Sequence, residues 1–124
     1  WLSKQKKIAE ILYPYKPSSK SYRLWKKYYS GASGLLSIII KSKSKSSVYK
    51  FVNSLELFGI GYSWGGFESL AIIQDLKSSK KDEYIQRRRF YRFSNDEHIV
   101  RLHIGLEDPK DLINDLRNCL RYIK

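Results

Sequence analysis

The chain has 124 residues, 42% hydrophobic and 15% aromatic, with 24 Lys and Arg against 12 Asp and Glu, one cysteine and no methionine. That length supports one modest core, a lone cysteine rules out a disulfide framework, and the aromatic content argues against intrinsic disorder. The formal net charge of +12 brings nucleic acid or an acidic membrane surface forward as partners, although no apolar run is long enough to span a bilayer.

Trp1, Ile8 and Leu12 share one helical face with Lys4, Lys6 and Lys7 around the others, so the first dozen residues are predicted helical. No capping residue precedes Trp1, and with the missing methionine this points to a piece of a longer product. Charged and polar residues interrupt every apolar pair there, so no secretory signal is expected, and a reducing, cytoplasmic setting fits. Pro14 and Pro17 break the element, because each lacks a donor and disfavours helical geometry in the residue before it. A second helix is expected from about Ser19 to Tyr29, ending at Gly31.

The β-branched run Gly34 to Ile40 predicts a buried strand. Lys41 to Ser46 reads as a solvated connector, after which Ser46 or Ser47 caps a helix whose buried stripe is Val48, Phe51, Val52 and Leu55. Strands are expected around Leu57–Gly61, Ser69–Ile73 and Ile99–Ile104. In the last, Val100, Leu102 and Ile104 face one way and Ile99, Arg101 and His103 the other. Asp108 caps a final helix with Pro109 at its first position and Leu112, Ile113, Leu116, Cys119, Leu120 and Ile123 along one face. The order reads as a single α+β domain over residues 1–124: a small antiparallel-type sheet of about four strands with helices packed on one face.

Charge is uneven along this order. Residues 1–50 carry twelve Lys and Arg against a single acid, Glu10, whereas residues 51–76 carry three acids and no base. The densest basic and aromatic mixture is Arg87 to Phe93, and as a group the basic runs read as solvated surface. The alternative they leave open is a basic binding module for nucleic acid or an acidic surface, whose affinity would fall steeply with salt.

Few residues can carry chemistry. One Cys and two His give no metal-ligand spacing, no Gly-rich phosphate loop precedes a helix, and Cys119 sits on an apolar face as an inert thiol. His103 is open between a structural hydrogen bond and a site role. Tyr62 to Leu70 contains the paired Gly65 and Gly66, which permit positive φ and close approach. It reads either as a tight turn with Trp64 plugging the core or as a ligand-facing turn. In the second reading Ser63 and backbone N–H groups donate to an anion, and Arg101 offers a planar fork for a carboxylate.

The stretch Tyr62-Ser63-Trp64-Gly65-Gly66-Phe67-Glu68-Ser69-Leu70, followed by Val100-Arg101-Leu102-His103-Ile104-Gly105-Leu106-Glu107-Asp108 and an amphipathic helix, strongly resembles one known domain. It is the C-terminal domain of the cystathionine β-lyase branch of the pyridoxal-phosphate-dependent Cys/Met metabolism family, which are fold-type I enzymes. Trp25 to Leu35 resembles the lead into the first strand of that domain, so the likeness covers nearly the whole chain.

The resemblance implies a carbon–sulfur lyase of methionine biosynthesis that converts cystathionine to homocysteine, pyruvate and ammonia. It places the carboxylate-binding arginine on Arg101 and the substrate-contacting turn on Ser63 and Trp64, with Tyr62 beside them. It also implies that the catalytic lysine and the cofactor-binding residues belong to an N-terminal domain that this sequence does not contain. No catalytic, cofactor-binding or metal-binding residue is then expected here, pyridoxal phosphate is not expected to bind this chain alone, and the chain is expected to be inactive alone. The partner implied is that domain or a separately encoded chain, with self-association through exposed apolar surface as a further expectation. Neither nucleic acid nor membrane is expected. A trimmed enzyme, a proteolytic product and a split or decayed gene would each give such a chain.

Overall fold

A computed structural model of the chain describes residues 1–74 and 94–124. A short 3-10 turn, Leu2–Lys4, precedes β1 (Ile8–Leu12), α1 (Tyr22–Tyr28), β2 (Leu35–Lys41), α2 (Lys45–Asn53), β3 (Gly59–Ile60), β4 (Leu70–Gln74), β5 (Glu97–His103) and α3 (Pro109–Leu120). The strands form one sheet in the order β1-β2-β5-β4-β3, antiparallel except for the parallel β3–β4 pair.

The α+β class expected from the sequence holds, but the sheet gains a strand where the first helix was expected. A register shift between Ile8 and Glu10 makes a bulge in β1, so that Ile8 pairs with Ile40 and Ile11 with Ile38. The extra residue puts two isoleucines three apart on the same face of the sheet, and both pack against the core. Helical spacing and a bulged strand are therefore indistinguishable over so short a stretch.

β5 lies in the middle of the sheet and pairs along its length with β2, from Leu35 opposite His103 to Lys41 opposite Glu97. Its alternation splits the molecule. Val100 and Leu102 join Ile38, Ile40 and Ala71 in the core, covered by Val48, Phe51 and Val52 of α2 and by Leu112, Leu116 and Leu120 of α3. On the opposite face Ser37, Arg101 and Ile72 lie abreast, and Leu35, His103 and Leu70 form the next row. The two long helices thus pack on one face, while α1 buries no residue and sits in an aromatic surface cluster with Tyr15.

The helix starts follow local chemistry. Asp108 accepts from the Lys110 N–H at 2.7 Å, with Pro109 at the first helical position. In α2 the cap is Ser44 rather than Ser46 or Ser47: its hydroxyl accepts from the Ser47 N–H. The connector expected to be solvated is exposed at its lysines and Ser46, but Ser42 is buried and bonded to the Ser47 hydroxyl and to the Lys124 carbonyl.

Asp115 fixes α3 to the segment entering β3. Its buried carboxylate accepts from the Glu56 N–H and, at 2.9 Å, from the Leu57 N–H. Replacing Asp115 with Ala leaves those donors without an acceptor, so the urea midpoint should fall by the equivalent of about 2 to 3 kcal/mol. Asp115→Asn, which keeps one acceptor oxygen, should lose clearly less. Equal losses in the two variants would show that the carboxylate's hydrogen bonds contribute little.

Candidate functional site

The parallel β3–β4 pair has only two rungs, Gly59 with Leu70 and Ile60 with Ala71. The chain between them must double back, and it does so over the face of β5 that carries Arg101 and His103. Arg101 Nη2 donates to the carbonyls of Gly61 at 3.4 Å and Ser63 at 3.3 Å and to that of Tyr62 between them. The guanidinium carbon stands 5.9 Å from the centroid of the Tyr62 ring. Among the described residues no carboxylate lies within ion-pair distance of Arg101, which is only partly buried.

Two residues further along the strand, His103 holds the next part of the turn. The Gly65 N–H donates to Nδ1 over 3.5 Å, and Nε2 lies 3.1 Å from the Gly66 carbonyl. A carbonyl only accepts, so Nε2 carries the proton and Nδ1 is left free to accept. Gly65 has a φ of +80°, the one left-handed residue among those described, which explains the need for glycine there.

The far end of the turn is fixed by the segment after β5. The Leu106 N–H donates to the Phe67 carbonyl at 2.8 Å. Glu107 accepts from the Ser69 N–H at 2.8 Å and from the Ser69 hydroxyl at 2.7 Å, and that hydroxyl in turn accepts from the Gly105 N–H at 2.9 Å. The strands cross so closely that a Cβ on Gly105 would lie 2.1 Å from the Phe67 carbonyl oxygen. Bonding by the Ser69 N–H, ahead of a smaller opposing effect of burial and further help from the hydroxyl, holds the Glu107 carboxyl below its usual range.

The four residues expected at the site come together. Tyr62, Ser63 and Arg101 are in contact through the carbonyls just described, and Trp64 is the apex between the parts held by Arg101 and by His103. Trp64 is 66% exposed, which removes the reading of it as a core plug. The Ser63 hydroxyl and the Ser63 and Trp64 amides have no hydrogen-bond partner among the described residues. Ser69, Gly105 and Glu107 were not singled out by sequence reasoning, although a glycine just past a strand end was the available sign of a close crossing.

Elsewhere, Cys119 is buried, donates to the Ser54 carbonyl, and has its thiol pushed up by burial and by the neighbouring Asp115, as an inert core thiol should. Arg87 to Phe93 lies outside the described residues. Among those described, no group of His, Cys, Asp and Glu could hold a metal ion, and no helix is long and apolar enough to cross a membrane.

The fold is shared with enzymes that use pyridoxal phosphate. Residues 1–121 match the family model described as Cys/Met metabolism PLP-dependent enzyme. The chain is 37% identical over 120 residues to cystathionine beta-lyase MetC of Escherichia coli K12, covering 94% of this chain and 28% of that protein. It is 38% identical over 121 residues to an L-alanine/L-glutamate racemase of Wolbachia pipientis, covering 97% and 28%. A Campylobacter jejuni crystal structure, provisionally named O-acetylhomoserine (thiol)-lyase and containing N′-pyridoxyl-lysine-5′-monophosphate, superimposes with a TM-score of 0.77 at 28% identity, over 97% of this chain and 28% of that one. The chain belongs to the Cys/Met metabolism family of PLP-dependent enzymes, and it spans about 28% of the length of these relatives.

Because the folded state depresses the Glu107 pKa, its contribution to stability is present at neutral pH and lost as the carboxylate takes up a proton. Wild type should therefore exceed Glu107→Gln in urea midpoint near pH 7, and the gap should close as pH falls below about 4. A gap that persists unchanged at lower pH would show that the ionised carboxylate is not what holds Ser69.

Proposed function

We propose that this chain is the C-terminal, substrate-binding part of a PLP-dependent carbon–sulfur lyase acting on cystathionine, with Arg101 receiving the substrate carboxylate. The observation that carries the reading is the state of Arg101. Every hydrogen bond of its guanidinium described above uses Nη2 and ends on a backbone carbonyl. Nε and Nη1, on either side of Nη2, remain as donors among the described residues, and a carboxylate gripped bidentately would pair one of them with an Nη2 hydrogen.

The names of the relatives support a site for an amino acid rather than for one bond to be broken. A lyase and a racemase match at 37% and 38% identity and a thiol-lyase at 28%, each over more than nine-tenths of this chain, and their named substrates are amino acids. What such proteins can hold in common here is the α-carboxylate. The narrower choice of cystathionine rests on the lyase names and on the Ser63-Trp64-Gly65-Gly66 turn.

A carboxylate fixed on Arg101, with Ser63 and the free amides of the turn beside it, sets the orientation of the substrate's Cα–H bond towards a base. Trp64, next in the chain and exposed, would shield a bound substrate from water. The cofactor supplies, when bound, the electron sink that makes loss of the Cα proton possible. The groups shown around Arg101 are the carbonyls of residues 61–63 and the Tyr62 ring, with the His103 imidazole two residues along the strand; no lysine is among them to hold the cofactor's aldehyde. The lysine and the cofactor contacts are assigned to the remaining length of such an enzyme, on the same polypeptide or a separate one, so this chain alone is expected to be silent.

Mixing the chain with L-cystathionine and pyridoxal phosphate should release no thiol above the blank, and robust turnover would overturn the expectation of silence. L-Cystathionine should bind the chain in a titration, and Arg101→Gln should weaken it by about tenfold or more, the equivalent of at least one lost charged contact. Arg101→Lys should recover only part of the affinity. Unchanged binding in Arg101→Gln would remove Arg101 from the role.

A further inference from the structure

We propose that His103 is a positioning residue for the substrate turn: by accepting from Gly65 and donating to Gly66, it fixes where Ser63 and Trp64 stand relative to Arg101. The inference deepens the reading of Arg101 as the carboxylate site and rests on it. Arg101 and His103 project from the same face of β5, two residues or roughly 6.6 Å apart. They grip successive parts of one turn, Arg101 at residues 61–63 and His103 at residues 65–66.

Arg101 holds residues 61–63, and the bonds to Phe67 and Ser69 hold the far end. Between them, His103 is the one side chain among the described residues bonded to Gly65 and Gly66. Its ring is buried, so the two bonds lie largely out of water, where losing a partner has most effect. Its neighbours in the sheet, Leu35 and Leu70, are apolar and offer the turn no hydrogen bond in its place. The ring must also be in one tautomer. With the proton on Nδ1, the Gly65 N–H would face a second donor.

The test uses the chain with 5-fluorotryptophan in place of its three tryptophans, each giving a fluorine signal. Trp1 packs against the core and Trp25 sits in the aromatic cluster of α1, so they report on the rest of the fold. His103→Leu should shift and broaden the Trp64 signal alone and speed Gly65 amide exchange by roughly tenfold or more. His103→Asn, whose Oδ1 occupies the place of Nδ1, should return the Trp64 signal towards wild type.

An unmoved Trp64 signal in His103→Leu would overturn the proposal, and so would a common shift of all three tryptophans, which marks a plain core role. If His103→Leu does not fold, the wild-type imidazole decides: nitrogen shifts showing Nε2–H and a bare Nδ1 support the proposal, and an Nδ1–H tautomer overturns it. Failure of L-cystathionine to bind the wild-type chain would strike the Arg101 reading, while the fluorine signals would still report on His103.

Discussion

The alternation of β5 is the constraint on which the molecule turns. One strand, hydrogen-bonded on both sides, gives Val100 and Leu102 to the core and Arg101 and His103 to the opposite face. A slip of one residue would exchange the two sets, burying a guanidinium and exposing two aliphatic side chains. The energy that holds the core therefore also sets the direction of the arginine. The residues just past the strand extend the same control, because the crossing at Gly105 brings Leu106 and Glu107 against the end of the turn.

What could be read in the sequence was whatever is decided by a few neighbouring residues. The final helix announced itself through Asp108, Pro109 and a long apolar stripe, and β2 and β5 through branched residues and alternation. The first strand was hidden because Trp1, Ile8 and Leu12 fall at helical intervals, and only the partner strand, with Ile8 opposite Ile40 and Leu12 opposite Ser37, shows the run to be extended. The cap of α2 was placed two or three residues late, since Ser44, Ser46 and Ser47 are equivalent until Ser42 is seen to turn inward.

The site divides along the same line. Arg101 and the paired glycines stood out as residue types with few other uses in that pattern. The parts played by Ser69, Glu107 and His103 arise from contacts between segments more than thirty residues apart, as from Ser69 to Glu107 and from Gly65 to His103. No local signal carries that pairing. The net charge, which first suggested a polyanionic partner, is concentrated in residues 1–50 of the sequence, whereas residues 51–74, which contain the turn, hold two acids and no base.

The grip on the turn is made almost wholly through its main chain. The anchoring atoms are the carbonyl oxygens of residues 61–63, 66 and 67 and the amide of Gly65, while the rings of Tyr62 and Trp64 project outward. Apart from Tyr62's ring beside Arg101, the positive φ of Gly65 and the buried Ser69 hydroxyl, the scaffold is blind to which side chains the turn displays. Replacement of a residue at 63 or 64 alters what a ligand meets without disturbing what supports it. Such an arrangement lets selectivity drift by single substitutions at little risk to folding, so that novelty can accumulate at the rim while the framework stays under constraint.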